Sequence, residues 1–282
     1  ASAASKPDFF IVNATNGSTP YVVSNLDTGP GLNSIDVAGD YAYVANKKDD
    51  KELQVINIQN KANPTLATSY ALPGVNDATS KGAALFYQSN KIYIGTNKVI
   101  GPEFHIVDVS SPEFPVSLGS YEINDNVNDV YISGSRAYLA TDLDGAGLMI
   151  LDVSNPAAIS VLGQSISPDT KSVARVGPNV VAVGPGQNFT LVDVTNLNNI
   201  VTLGTFPVGD IINDMIARGN FVFLATSNSN KEVQIMDITN PANPTLYASF
   251  DFPQVATGVD YENNLVYVSV RSNDALRIIT SQ

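Results

Sequence analysis

Four aspartates occupy the same place in a repeated apolar stretch, and carboxylates in a repeated pattern are ligands that metal ions use. They are Asp108 in FHIVDVSSP, Asp152 in LMILDVSNP, Asp193 in FTLVDVTNL and Asp237 in VQIMDITNP. Copies on neighbouring sheets lie about 10 Å apart, whereas the ligands of one calcium ion lie within about 2.6 Å of it. An aspartate followed by Ser/Thr, Asn and Pro also favours a turn, because its side chain accepts backbone N–H groups. The pattern therefore predicts turns rather than a shared metal site.

Two other motifs contain residue types that take part in chemistry. Asp142 and Asp144 in TDLDGAG resemble part of a calcium-binding loop, but a third ligand before the glycine and the later glutamate are absent. This stretch predicts a hairpin loop. The alternative is that it binds calcium weakly, and calcium is the one cofactor that the sequence suggests. His105 is the single histidine, the chain has no cysteine, and no nucleophile motif accompanies it. We therefore predict a non-catalytic protein.

The apolar stretch recurs through the whole chain. Its copies begin at Phe9, Leu53, Phe104, Leu148, Phe189, Val233 and Leu276, at intervals of 41 to 51 residues. A fixed period of this length predicts a propeller or another repeat array. The stretch is apolar at successive positions, which is typical of a strand buried on both faces.

Each repeat contains three more strand-like runs. A β-branched or aromatic run such as YAYVAN, RAYLAT or FVFLAT precedes the apolar stretch, and a shorter run lies before it across a Gly- or Asn-containing turn. Another run, such as PVSLGSY, follows the Pro/Asn turn. We label the four strands of a repeat a to d, so that the apolar stretch is strand c. The prediction is an all-β propeller of four-stranded antiparallel blades.

The strand count favours six blades, with seven as the alternative. The last repeat, from Val255 onward, has strands a, b and c but no d. The N-terminal run Tyr21–Leu26 is predicted to supply that strand and close the ring, which removes an exposed sheet edge. Phe9–Ala14 is then a surplus copy of strand c. Residues 1–8 are predicted to be a flexible segment, and residues 9–282 a single propeller domain.

With FHIVDVSSP, LMILDVSNP, FTLVDVTNL and VQIMDITNP in view, the chain resembles the LVIVD-repeat family of β-propellers. The stretches ISGSRAYLAT and IARGNFVFLAT match the other half of that repeat. The resemblance covers nearly the whole chain, from about Phe9 to Thr280. It implies a secreted or surface-attached microbial protein and offers no catalytic residues to carry over. Asn57 and Thr280 replace the aspartate in two copies, which argues against an obligatory catalytic use of that column.

Polar residues at the start of the innermost strands form the candidate ligand site. A ring of strands a brings their first residues to the mouth of a central channel, where amides and carboxylates can bind a polar ligand. The candidates are Asn33, Asn128, Asp129, Lys171, Asn213, Asp214 and Thr257. The alternative is that these residues are polar caps of their strands.

The charge and the apolar runs of the chain argue against nucleic acid and membranes as partners. The net charge of −12 disfavours nucleic acid and anionic membranes, which are also negative. The longest apolar runs are far shorter than the roughly 20 residues that span a bilayer, so membrane insertion is not expected. The small polar start ASAASKPD is typical of a mature N-terminus after cleavage, of a tether, or of a boundary chosen for expression.

Three functional hypotheses follow from the sequence. The favoured one is a non-catalytic secreted or cell-surface module that binds a protein or glycan through its loops. The second is a structural subunit of an extracellular assembly, which self-assembles by addition of its N-terminal strand to a neighbour. The third is a hydrolase or lyase with a polar funnel, for which a cluster of Lys171, Asp129 and Asp214 would be the required acid–base groups.

Overall fold

The computed structural model describes residues 7–29, 31–47, 51–75, 81–165, 168–271 and 275–280. These residues form strands and turns, with one 3-10 turn at Pro156–Ala158 and no α-helix within the described ranges. Contacts divide the chain into two compact units. Unit 1 contains Ala1–Ala137 and Asp152–Ser160, and unit 2 contains Tyr138–Leu151 and Val161–Gln282. The single domain expected over residues 9–282 stays a prediction.

The strands follow the predicted a–b–c–d order in the first five repeats and the order a–b–c in the sixth. An N-terminal hairpin comes first: β1 (Phe9–Asn13) and β2 (Tyr21–Leu26). Blade 1 is β3 (Leu32–Ala38), β4 (Tyr41–Asn46), β5 (Leu53–Asn57) and β6 (Thr65–Tyr70); blade 2 is β7 (Gly82–Gln88), β8 (Lys91–Thr96), β9 (Phe104–Asp108) and β10 (Val116–Tyr121). Blade 3 is β11 (Val127–Ser133), β12 (Arg136–Thr141), β13 (Leu148–Asp152) and β14 (Ser160–Ser165); blade 4 is β15 (Thr170–Arg175), β16 (Val180–Pro185), β17 (Asn188–Asp193) and β18 (Val201–Pro207). Blade 5 is β19 (Ile212–Arg218), β20 (Phe221–Thr226), β21 (Val233–Asp237) and β22 (Thr245–Phe250); blade 6 is β23 (Ala256–Glu262), β24 (Leu265–Val270) and β25 (Leu276–Thr280).

The sheet order confirms the predicted fold. Blades 1 to 5 are four-stranded sheets in which each strand is bonded to the next along the chain, and blade 6 has strands a, b and c of its own. The fold is therefore a six-bladed β-propeller. The N-terminal hairpin adds one c-like and one d-like strand. The prediction that Tyr21–Leu26 completes blade 6 is not confirmed, because among the described residues β2 is bonded to β1 and the sheet of blade 6 has three strands.

The hairpin also answers what Phe9–Asn13 pairs with. Strand β1 is antiparallel to β2, with Phe9 opposite Leu26 and Asn13 opposite Tyr21. Phe9 packs on Ala42, Val44 and Ile56 of blade 1. Of the segment expected to be flexible, residues 1–6 lie outside the described residues. Asp8 is fixed, because its Oδ1 accepts the backbone N–H of Thr28 at 2.9 Å.

Blade packing explains why strands b and c read as continuous apolar runs. In blade 1, Leu53 and Val55 of strand c contact Leu85, Ile92 and Ile94 of blade 2. Alternate residues of strand c therefore face the following blade, and the residues between them face the preceding one. Because both faces are covered, strands b and c of blade 1 carry no solvent-facing alternation, whereas the outer strand d of blade 5, β22, keeps it.

Candidate functional site

The repeated aspartates form turns, as the spacing predicted. Asp152 Oδ1 accepts the N–H of Ser154 at 2.8 Å, and Asp237 Oδ1 accepts that of Thr239 at 2.8 Å. Asn57, which replaces the aspartate in blade 1, makes the same bond to the N–H of Gln59 at 3.0 Å. Hydrogen bonds from the hydroxyl and the N–H of Ser154 hold the pKa of Asp152 below its ordinary value. An amide works as well as a carboxylate here, so the column serves the turn geometry.

Two of the predicted channel-mouth asparagines join neighbouring blades. Asn33 in β3 donates its Nδ2 to the carbonyl oxygen of Gly82, the first residue of strand a in blade 2, at 2.7 Å. Asn213 in β19 donates to the carbonyl of Ala256, the first residue of strand a in blade 6, also at 2.7 Å. Asparagines at equivalent positions thus make equivalent inter-blade bonds, Asn33 within unit 1 and Asn213 within unit 2.

The next residue along the strand makes a second inter-blade bond. Asp214 Oδ2 accepts the N–H of Val259 at 2.8 Å, and Ser34 Oγ accepts that of Leu85 at 3.2 Å. Register shifts at Leu32/Ser34, Gly82/Ala84, Ile212/Asp214 and Ala256/Gly258 mark a β-bulge at this place in each strand a concerned. A bulge takes one residue out of register and re-aims its side chain. The bulge therefore points these polar groups at the neighbouring strand.

The remaining channel-mouth candidates lie at the same strand positions. Asp129 Oδ1 accepts the N–H of Val130 at 2.8 Å, and Thr257 Oγ1 lies 3.0 Å from Ser269 Oγ. Asn33, Asn128 and Asp129 belong to unit 1; Lys171, Asn213, Asp214 and Thr257 belong to unit 2. A ligand site that combines them stays a prediction.

Lys171 connects two motifs that the sequence treated separately. Its Nζ lies 2.5 Å from Oδ1 of Asp142, the aspartate of the calcium-like loop, and both side chains are partly buried. The ammonium group occupies the position of a cation beside that carboxylate. Within unit 2, Lys171 therefore pairs with Asp142, while Asp214 binds the Val259 backbone. No group of three or more His, Cys, Asp or Glu in the described ranges has the arrangement of a metal site.

His105 is a buried core residue. Its side chain is fully buried, and its Nε2 lies 2.7 Å from the carbonyl oxygen of Pro102. Burial lowers its pKa to about 4, although the bond to Pro102 opposes that shift. The imidazole is thus neutral at physiological pH, and its Nε2–H donates a hydrogen bond to the carbonyl oxygen of Pro102.

A column of buried acids was missed by the sequence analysis. Glu52, Glu103 and Glu232 directly precede strand c and are at most 2% exposed. Each carboxylate accepts a backbone N–H twenty residues later, and the bonds are Glu52–Leu72 at 3.0 Å, Glu103–Ile123 at 2.9 Å and Glu232–Phe252 at 2.7 Å. Asp8 does the same with Thr28 in the N-terminal hairpin. The acidic residue was visible in the sequence as the second letter of PDFF, KELQ, PEFH and KEVQ, one position before each apolar stretch begins.

Blade 4 departs from this pattern and contains a cavity of about 410 Å³. Asn188 stands where blades 1, 2 and 5 have the buried glutamate, and it is exposed. Thr190, the second residue of the apolar stretch that begins at Phe189, replaces Gln54 and Gln234 of blades 1 and 5. Both residues line the cavity.

Comparisons with known proteins agree with this architecture. The LVIVD repeat model matches residues 32–71, 125–165 and 212–252, which correspond to blades 1, 3 and 5. A sequence search of curated proteins gives no significant match. No helix in the described part of the chain is long and apolar enough to cross a membrane.

Solved structures show the same fold at low sequence identity. A protein from Lactobacillus plantarum is 10% identical, with a TM-score of 0.78 over 95% of this chain and 86% of that chain. A chain of a mitotic checkpoint complex is 11% identical, with a TM-score of 0.70 over 95% and 83%. A chain of a nidogen/laminin complex is 8% identical, with a TM-score of 0.60 over 86% and 89%. The protein is a six-bladed β-propeller with LVIVD repeats.

Proposed function

We propose that this protein is a non-catalytic binding module, displayed on or secreted from a microbial cell, that contacts a protein or glycan through its loop face. The loop face is the end of each blade that carries the b–c and d–a connections. Two structurally similar chains come from complexes of several proteins. That likeness supports a partner-binding role by analogy of fold, and it leaves the partner to be found.

The observation that carries the proposal is that corresponding strands of the blades have nearly the same length, whereas the connections on the loop face vary in length. We call the strands of the six blades the frame. Strand b has six residues in all six blades. The b–c connection, by contrast, has two residues in blade 4 (186–187) and seven in blade 2 (97–103). Functional residues are commonly placed on loops that a rigid scaffold positions. The polar groups of strand a whose bonds are described above instead hold the frame.

Charge reversal on the two ends of the blades tests the proposal. The loop-face variant is Asp169→Lys with Asp251→Lys, and the control at the a–b turns is Asp40→Lys with Glu262→Lys; all four residues are exposed. The purified proteins are applied to a glycan array and to an array of extracellular proteins. We expect binding that the loop-face variant loses and the control retains. Equal binding by both variants, or no binding by the unmodified protein, would contradict the proposal.

The N-terminal hairpin supports a second candidate function, that of an assembling structural subunit. Phe10, Tyr21 and Val22 are 49%, 60% and 54% exposed, which is high for large apolar residues on a two-stranded sheet. Such a surface suits strand addition from a neighbouring molecule. Sedimentation velocity over a range of concentrations should show assembly that Tyr21→Asp abolishes. Phe114→Asp, at a 75% exposed residue in a c–d turn, is the matched control and should leave assembly unchanged.

A further inference from the structure

The cavity in blade 4 lies where two space-filling features of blades 1 and 5 are missing. Gln54 and Gln234, at the second position of strand c, reach the preceding d–a connection, where Nε2 donates to the carbonyls of Thr28 at 3.1 Å and Val208 at 2.9 Å. Thr190 has no such reach, and its Oγ1 lies 3.1 Å from Oγ1 of Thr205. The shorter side chain leaves the space beside the preceding connection open.

The b–c connection is the second missing feature. In blade 5, six residues (227–232) link strands b and c, and the buried carboxylate of Glu232 closes the end of the blade. In blade 4, Gly186 and Gln187 form a two-residue turn, with Gly186 at a φ of +56° that suits glycine. The exposed Asn188 replaces the glutamate. One end of the cavity therefore lies at the loop face, beside Asn188, and the other end reaches Ile200 in the c–d connection.

The walls of the cavity combine uncharged hydrogen-bonding groups with apolar surface. The hydrogen-bonding groups come from Ser165, Asn188, Thr190, Thr202 and Thr205. Val183, Val192 and Ile200 supply apolar surface. A volume of about 410 Å³ lies within the range of about 300–1,000 Å³ that is usual for small-molecule sites.

We infer that this cavity binds a sugar ring of a neutral saccharide. Hydroxyl and amide groups both donate and accept, which matches the hydroxyls of a sugar, and the valine and isoleucine side chains suit its C–H face. None of the described residues that line the cavity is charged, and the net charge of −12 disfavours anionic sugars. The walls come mainly from the face of strands β16 to β18, which presents side chains rather than backbone groups, so an extended peptide cannot pair there as an added strand.

The inference deepens the proposed function, since it places one glycan contact on the loop face. The probe is a set of neutral disaccharides of glucose, galactose, mannose and N-acetylglucosamine, followed by saturation-transfer NMR. The test variants are Thr190→Gln, which restores the residue of blades 1 and 5, and Thr202→Val, which removes one exposed hydroxyl without changing side-chain size. Thr245→Gln and Thr245→Val, at an exposed residue outside the cavity, are the controls.

We expect at least one disaccharide to bind, with affinity reduced by about tenfold or more in Thr190→Gln and reduced less in Thr202→Val. The Thr245 variants should bind like the unmodified protein. Circular dichroism separates loss of the site from loss of the fold, and Thr202→Val keeps the test decisive if Thr190→Gln does not fold. The inference would be overturned if no saccharide binds, or if all variants bind the saccharide equally. It would also be overturned if peptides displace the bound sugar and other saccharides do not. Array partners that survive Thr190→Gln but not the loop-face charge reversal would sustain the proposed function without this site.

Discussion

At the scale of single residues, His105 shows what a lone histidine does in this frame. Its imidazole is buried and neutral, with a pKa of about 4 in the folded protein against an ordinary value of about 6.5. Between these two values the unfolded chain binds a proton that the folded chain does not. Stability is therefore fully present above pH 6.5 and falls as the pH drops toward 4.

The variant His105→Gln should remove this pH dependence. Glutamine is the residue at the same place in blades 1 and 5, so the position accepts it. We expect the unmodified protein to lose about 1.4 kcal/mol of unfolding free energy for each pH unit below 6.5, relative to the variant. Urea unfolding followed by circular dichroism at several pH values gives the difference, in which the carboxylate titrations cancel. Parallel curves for the two proteins would contradict the assigned pKa.

Glu103 is a second residue whose burial has a measurable consequence. Its Oε2 accepts the N–H groups of Ile123 and Asn124, both at 2.9 Å. In Glu103→Leu the buried N–H of Ile123 and the part-buried N–H of Asn124 lose their acceptor, which should cost about 3 kcal/mol of unfolding free energy. Glu103→Gln keeps an acceptor oxygen and should lose less, and the exposed Glu113→Leu should lose almost nothing. Equal losses in Glu103→Leu and Glu113→Leu would show that the carboxylate is not the clamp.

At the scale of elements, the outer strand of a blade depends on glycine. A Cβ at Gly119 of β10 would overlap the carbonyl oxygen of Pro156 in the c–d turn of blade 3. Gly163 of β14 has the same relation to Leu197 in the next blade. The glycines therefore allow the turn of one blade to lie directly against strand d of the preceding one.

Substitution Gly119→Ala should separate these elements. The added methyl group has to displace backbone rather than a flexible side chain, so we expect a loss of about 1–3 kcal/mol in unfolding free energy. Gly177→Ala is the control, because a Cβ there meets only Val180, at 3.8 Å. Hydrogen exchange should show faster amide exchange in β10 for the first variant alone. Unchanged protection of β10 would argue against close packing at this contact.

The sequence predicted the elements better than it predicted the site. The spacing of 41 to 51 residues and the apolar strand c were enough to place the four-strand repeat, since both reflect burial between blades. The roles of Asn33 and Asn213 depend on a β-bulge, which has no clear signature in one sequence. The cavity depends on which blade Thr190 faces and on a b–c connection shortened to two residues. The variation among Gln54, His105, Thr190 and Gln234 was visible, but its meaning required the packing.

At the scale of the whole molecule, the excess of acidic residues determines how salt affects stability. The net charge is −12, so many carboxylates have no cationic counterpart, and their mutual repulsion destabilises the folded state. Salt screens this repulsion beyond about 10 Å at 0.1 M ionic strength.

We expect the melting temperature at pH 7, followed by circular dichroism, to rise as NaCl is increased from about 0.01 M to 0.15 M. A variant with four exposed acids changed to lysine, at positions Asp40, Asp169, Asp251 and Glu262, should show a smaller rise, because its net charge is closer to zero. A melting temperature that falls with salt would mean that attractive ion pairs, such as Lys171 with Asp142, outweigh the repulsion.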